Sequence, residues 1–392
     1  MNDSDICKIP FTTVQIYNWG RGFEIFTCCP VSVYNKPIGK GDDLKNFDKI
    51  WNSDKAKIFR KKLTNKDYSF CNTDFCNNHI NLNLPIIDFL QENKIPVNYN
   101  EVEDYPIVVK FSHDRECNLH CATCRDKIFV NSEEELKSFN DKIDTELIPI
   151  LKNAKVVYLS GDGDPFASRH YRSLIKKINE TYPNIKYILH TNAILFNEKN
   201  IKDLEIENKI YAAGISIHAA TKETYEKTMC GAKWDTLHKN LQYISELKQS
   251  GKIKHIYFYF VIQKNNYKEM VDFVKMAQKY NAVVRFTRYV NWGNEFGKDY
   301  DELAIFNPEN KEFENYVRYL QNPIFKSENY KLDPISDKYI NLKNIELFLL
   351  KNRIFKISHK IKKSGIFIRN IGIKAIPNKK LRKKLREKYN LY

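Results

Sequence analysis

The run Ile107-Val108-Val109-Lys110-Phe111, followed six residues on by Cys117-Asn118-Leu119-His120-Cys121-Ala122-Thr123-Cys124, decides how this 392-residue chain is read. The first part has the apolar, β-branched character of a strand. The second is a short loop with three thiols spaced C-x3-C-x2-C, whose sulfurs can converge on one centre. Thiolate sulfur is a soft ligand that favours iron-sulfur clusters and zinc over hard cations such as magnesium. A closed structural site would want a fourth ligand. No cysteine follows nearby, and His113 and His120 are the neighbouring alternatives.

From about Val102 strands and helices alternate. The pattern predicts strands at Ile107 to Ser112, Lys155 to Ser160, Lys186 to Thr191, Ile210 to His218, His255 to Gln263 and Ala282 to Tyr289. Helices are expected at Ser132 to Leu151, Ser168 to Thr181, Asn197 to Leu204, Lys222 to Ser250 (as one helix or two) and Asn266 to Tyr280. Six such units argue for a parallel sheet closing into a full or partial barrel. Function on such folds gathers at the C-terminal strand ends. The cysteine loop follows the first strand, and the second ends in Ser160-Gly161-Asp162-Gly163-Asp164-Pro165-Phe166. His190 to Ala193, Gly214 to His218, Val261 to Asn266 and Arg288 to Gly293 end the others. Taken singly, these are ordinary turns or satisfied strand-end polar groups. Their recurrence at successive strand ends is the stronger signal.

The C-x3-C-x2-C spacing resembles that of the radical SAM superfamily. The resemblance implies that Cys117, Cys121 and Cys124 hold a 4Fe-4S cluster and leave one iron open for S-adenosylmethionine. Gly161, Asp162, Gly163 and Asp164 are similar to the family's Gly-Gly-Glu-Pro segment, with Asp164 as the acid that receives the amino group of S-adenosylmethionine. Asn192, Ser216, Gln263 and Val290 stand at positions implied to contact the same molecule. Thr123 occupies the place of a family aromatic residue beside adenine, so that packing is expected from Phe166 or Val290. The implied activity is reductive cleavage of S-adenosylmethionine to methionine and a 5'-deoxyadenosyl radical, which takes hydrogen from a substrate. An electron donor such as flavodoxin or ferredoxin is the implied partner.

Residues 1–96 read as a small cysteine-bearing domain. A hairpin of Phe11 to Tyr17 and Phe23 to Thr27 would bring Cys7 near Cys28 and Cys29, and a helical stretch from Leu44 to Leu63 leads to Cys71 and Cys76. The pattern resembles the SPASM or twitch-type auxiliary domain of the same superfamily, here ahead of the core rather than behind it. It implies an auxiliary iron-sulfur cluster held by Cys7, Cys28 or Cys29, Cys71 and Cys76; a zinc site or free buried thiols are the alternatives. The fold class expected is α/β: a partial (β/α)6 radical SAM barrel over residues 102–300, with this N-terminal domain and a helical basic extension at 301–392. A peptide, protein or other small-molecule substrate is expected first. A sugar or glycan precursor, RNA modification, and a non-enzymatic zinc-bound scaffold remain open.

The net charge of +16 does not belong to the barrel. From Asn341 to Tyr392 there are 16 Lys and Arg against Glu346 and Glu387, whereas the other 340 residues carry 48 basic and 46 acidic residues. A basic amphipathic helix is expected at Ile345 to Ile361, with Leu347, Leu350, Ile354, Ile357 and Ile361 on one side. Together with Lys379 to Arg386 it suits an anionic membrane surface or a partner protein. No RNA-binding motif accompanies it, so nucleic acid is not expected. A further helix is expected at Pro308 to Leu320, capped by Asn307. Met1 to Pro10 has no signal-peptide pattern and no spanning segment is present, so the cytoplasm is the expected compartment. There most of the nine cysteines would remain reduced.

Overall fold

In the computed structural model the described residues are 6–18, 22–33, 36–72, 76, 85–159, 163–290, 300–326, 330–332, 336, 339, 340, 342 and 344–363. Their strands are β1 (Thr13–Asn18), β2 (Phe23–Phe26), β3 (Gly39–Lys40), β4 (Val108–Ser112), β5 (Val156–Leu159), β6 (Lys186–Thr191), β7 (Ile210–Ser216), β8 (His255–Ile262), β9 (Val283–Arg288) and β10 (Tyr330–Lys331). They form one sheet in the order β10-β9-β8-β7-β6-β5-β4-β1-β2-β3. The pairs from β4 to β9 are all parallel, as a βα repeat requires. The fold is the expected α/β partial barrel with N- and C-terminal extensions, and its six core strands end within two residues of the expected bounds.

The N-terminal hairpin forms, but not as a sheet of its own. β1 pairs antiparallel with β2 and parallel with β4, with Gln15 opposite Lys110. The reason lies in its side chains, which are buried on both faces from Thr13 to Tyr17, as suits an interior strand. The sheet therefore runs across the expected boundary near residue 96.

Alternation along the strands builds two apolar layers. Val109, Phe111, Val157, Leu159, Leu189, Ile215, Phe258 and Phe260 point outward, against the helices 169–181, 234–249 and 270–279. Val108, Val156, Ile188, Ala212 and Tyr257 point inward, where Ile86, Ile87, Phe89 and Leu90 of the helix Pro85–Glu92 cover them. Fully burying each such side chain contributes about 1.5–3 kcal/mol. Ile9, Phe11, Phe26 and Cys28 belong to this inner layer, so the N-terminal segment closes the barrel's concave side.

Three expected helices are broken. Ser132 to Leu151 becomes a helix at Glu133–Asn140, a π-turn at Ile143–Leu147 and a 3-10 turn at Pro149–Leu151, the last opened by Pro149, which has no N–H to continue the preceding ladder. Leu44 to Leu63 divides into Phe47–Trp51 and Asp54–Thr64, where the Ser53 side chain caps the second piece. The helix expected from Pro308 begins only at Phe313. Asn307 and Asn310 accept from the amides of Glu309 and Glu312 at 3.1 and 2.8 Å, and such local bonds compete with a helix.

The C-terminal helix spans Ile345–Lys363. Leu349 is buried and Phe348 packs on Tyr339, while Phe355 and Ile357 are exposed. Lys379 to Arg386 lie outside the described residues. No helix among the described residues is long and apolar enough to cross a membrane.

Candidate functional site

The loop after β4 is fixed at its base by buried polar groups. The Tyr171 hydroxyl accepts from the amides of His113 and Asp114 at 2.9 and 3.0 Å. Asp114 accepts from Asn131 Nδ2 at 2.7 Å and from the Ser168 hydroxyl, and Ser168 also caps the helix Arg169–Thr181. Glu116, 2% exposed, receives the amides of Asn131 and Arg169 at 2.9 and 2.7 Å and two guanidinium nitrogens of Arg169. A buried carboxylate with this many donors is anchored as a charge.

The thiol segment is then tied to the loop around residue 229. The amides of His120 and Ala122 donate to the carbonyls of Cys230 and Thr228 at 3.2 and 2.9 Å. Cys121 Sγ lies 3.6 Å from Met229 Sδ, Arg125 Nε 3.5 Å from Cys124 Sγ, and Asn192 Nδ2 3.8 Å from Cys117 Sγ. Burial, then Asp164, pushes the Cys117 thiol up to about 11, with Cys124 adding to it. Burial, then Cys124 and Cys117, raises Cys121, and Cys230 adds to that. Cys121 thus feels the charge of Cys117 and Cys124 and, from a distant part of the sequence, that of Cys230.

Among the described residues no group of three or more His, Cys, Asp or Glu side chains is arranged as a finished metal site. The donor set nevertheless fits a cluster: three soft sulfurs on one loop, a guanidinium beside Cys124 and an amide beside Cys117. His113 is not a fourth ligand. It is buried, with Nε2 2.8 Å from Nε2 of His170, and His170 Nδ1 is 2.9 Å from Asn140 Oδ1. His120 packs against Gly231.

Gly161 and Asp162 lie outside the described residues. Gly163 brings its backbone against the cysteine loop, and a Cβ there would stand 2.5 Å from the Glu116 carbonyl oxygen. Asp164, 1% exposed, already has four donors: the amides of Phe166, Ala167 and Asn192 at 3.0, 3.3 and 2.9 Å and the Thr191 hydroxyl at 2.7 Å. Its carboxylate ties two strand ends together. Asn192 donates to Asn118 Oδ1 at 2.9 Å and so joins the third strand end to the cysteine loop. Ser216 Oγ is 2.9 Å from His190 Nε2. Phe166 is 2% exposed and packs on Phe196, so it is committed to the core and cannot hold adenine. Val290 is half-buried at the end of β9. Gln263 is buried with its amide on Asn266 Oδ1, at the edge of a cleft of about 630 Å³ that Ala122, Thr221, Thr224, Thr228 and Asn265 also line.

Among the N-terminal cysteines, Cys7, Cys28 and Cys71 each feel the charge of Cys76. Burial, opposed by a backbone bond, then Cys76 and Cys71, pushes Cys7 up to about 12. Burial, then Cys76, Cys7 and Cys29, raises Cys28, and burial, then Cys76, raises Cys71 to about 11.

The described fold is a parallel partial barrel with three thiols at the mouth of its first strand. Residues 111–277 match the model of the Radical SAM superfamily. The FeMo cofactor biosynthesis protein NifB of Methanocaldococcus jannaschii is 28% identical over 106 residues, 23% of this chain and 34% of that protein. The GTP 3',8-cyclase of Staphylococcus carnosus is 23% identical over 209 residues, 50% of this chain and 58% of that protein. The chain thus spans less than two thirds of either relative. Among solved structures, Streptococcus suis SuiB bound to the precursor peptide SuiA is 15% identical with a TM-score of 0.40, covering 84% of this chain and 72% of SuiB.

Proposed function

We propose that the chain binds a 4Fe-4S cluster through Cys117, Cys121 and Cys124 and cleaves S-adenosylmethionine reductively to abstract hydrogen from a substrate. The observation that supports this reading is the C-x3-C-x2-C loop at the end of the first core strand, with Asn192 Nδ2 beside Cys117 Sγ and Arg125 Nε beside Cys124 Sγ. When bound, the cluster supplies an open iron for the amino and carboxylate groups of S-adenosylmethionine and the electron that breaks its sulfonium bond. Gly163, Asp164 and Asn192 hold the surrounding loops in register rather than touching the amino group through the Asp164 carboxylate. Ser216 and the cleft beside Gln263 are the proposed contacts for the rest of the cofactor, with Val290 at its edge.

Cys7, Cys28 or Cys29, Cys71 and Cys76 are the proposed ligands of an auxiliary cluster. The electrostatic influence of Cys76 on Cys7, Cys28 and Cys71 supports this, and so does the membership of Cys28 in the layer closing the concave side. The substrate class proposed is a peptide or protein, following the resemblance of the N-terminal segment to auxiliary domains that serve peptide maturation. A flavodoxin or ferredoxin is the proposed electron source.

The test is anaerobic reduction with S-adenosylmethionine, following 5'-deoxyadenosine by chromatography. A chain carrying Cys117→Ala, Cys121→Ala and Cys124→Ala should form none; equal turnover in that variant rejects the assignment. About eight irons per chain would support two clusters and about four only one. Zinc without acid-labile sulfide would reject both.

A further inference from the structure

Above its apolar floor, the concave side of the barrel is lined by polar and cationic residues that the proposed reaction does not use. Residues directly paired between strands share a face. Lys110 of β4 is paired with Tyr158 of β5, and Tyr259 of β8 with Arg285 of β9. Lys110 Nζ lies 4.6 Å from the centre of the Tyr158 ring, and the Arg285 guanidinium 6.0 Å from that of Tyr259. The Tyr158 hydroxyl lies 3.5 Å from His190 Nδ1, and burial, then Tyr259, pushes that hydroxyl up. His190 stacks on Tyr259 with ring centres 4.4 Å apart. Burial, then Lys110, His218 and Arg285, pushes His190 down to about 3, so both cations approach the same imidazole.

Arg285 is the anomaly in this group. It is 4% exposed, and one terminal nitrogen is buried with no hydrogen-bond partner. Among the described residues no carboxylate pairs with Arg285 or Lys110. Lys110 has Cys28 and Cys29 near it, but Arg285 stands on the far side of the barrel. An unpaired buried guanidinium is costly, and its fork of donors matches a carboxylate or phosphate.

We infer that the barrel lumen binds an anionic group of the substrate, a carboxylate or a phosphate, between Arg285 and Lys110, with the Tyr158 and Tyr259 hydroxyls completing the pocket. The inference rests on the proposed reading of the barrel mouth as the S-adenosylmethionine site. Lys110 and Arg285 stand two and three residues before the ends of their strands, about 7–10 Å inward. A substrate anchored there by its anion points its other end at the mouth, which is the orientation hydrogen abstraction requires.

The test uses the full chain, purified anaerobically, with melting temperatures measured at equal ionic strength in chloride, acetate or methyl phosphate. The wild type should melt higher in acetate or in methyl phosphate than in chloride, and the more effective anion identifies the group. Arg285→Met should lose that rise. In chloride it should melt about 2 °C or more above the wild type, because the unpaired buried charge is gone. Arg285→Lys should keep part of the rise, and Lys110→Met should lose part of it. A wild type indifferent to both anions overturns the inference, as does an Arg285→Met chain that melts lower in chloride and keeps the rise. A chain that forms no 5'-deoxyadenosine yet shows the Arg285-dependent rise overturns the proposed reaction and leaves the anion site standing.

Discussion

Gly163 touches Glu116 backbone to backbone: a Cβ on Gly163 would lie 2.5 Å from the Glu116 carbonyl oxygen and 2.7 Å from that of Asp114. The amide of Asp164 then donates to the same Glu116 carbonyl at 2.9 Å. The loop after β5 is thereby pressed against the base of the cysteine loop, and no side chain fits between them.

Gly163→Ala should therefore displace the cysteine loop rather than merely crowd a surface turn. The expected cost is about 1–3 kcal/mol of stability, typical of overpacking. Iron bound per chain after reconstitution should fall with it. Urea unfolding and iron analysis check both; unchanged iron content would show that the contact does not govern the thiols.

Glu116→Ala should be more damaging than any exposed ion-pair variant in this chain. It leaves the backbone amides of Asn131 and Arg169 without their buried acceptor and removes one partner of the Arg169 guanidinium, which keeps Glu133 and the Asn131 carbonyl. Because Arg169 is itself 38% exposed, the loss should sit near about 2–3 kcal/mol, below that of a fully buried pair. By contrast, Lys137→Ala, at an exposed pair with Asp141, should cost less than about 0.5 kcal/mol. Equal urea midpoints for the two variants would contradict this ranking.

Asp164→Asn should disturb the arrangement of Asn192. An amide presents a donor where the carboxylate now accepts four bonds, so one of them must face an N–H. The expected result is about 1–3 kcal/mol less stability and weaker S-adenosylmethionine binding. Isothermal titration with S-adenosylmethionine separates the two effects. A variant of native stability whose S-adenosylmethionine affinity falls would restore a direct contact for the carboxylate.

Stability should fall as pH drops below the ordinary histidine range. Burial, then His170 and Lys142, holds His113 well below its usual value; burial, opposed by Asp114, holds His170 at about 4, and burial holds His218 at about 4. The unfolded chain then binds protons that the folded chain refuses. Stability is full above about pH 6.5 and is lost toward pH 4, by up to about 1.4 kcal/mol per pH unit for each histidine. Urea midpoints at pH 7.5, 6 and 5 measure the slope. His170→Gln should flatten it, and a profile level down to pH 5 would contradict the assignment.

Much of the core was legible because its signals are local. The alternation in Val108-Val109-Lys110-Phe111 fixes two faces of a strand, and Ser168 and Asn197 cap the helices that follow them. Proximity across long sequence distances was not legible. Glu116 meets Arg169, His113 meets His170 and Cys230 meets the cysteine loop only after the barrel closes. Asp164 shows the limit most sharply. Its place in the chain suggested a ligand contact, while its oxygens are already filled by Thr191 and three amides.

The sequence by itself determined the α/β repeat, the three-thiol loop at its first strand end, and the confinement of positive charge to the C-terminal tail. These depend on spacing and composition, which a linear chain carries openly. Only the tertiary structure decided that the N-terminal hairpin joins the core sheet, that Asp164 fastens two strand ends, and that Lys110 and Arg285 face one lumen. Those outcomes depend on which groups find partners when water is excluded, and burial assigns partners only once distant strands lie side by side.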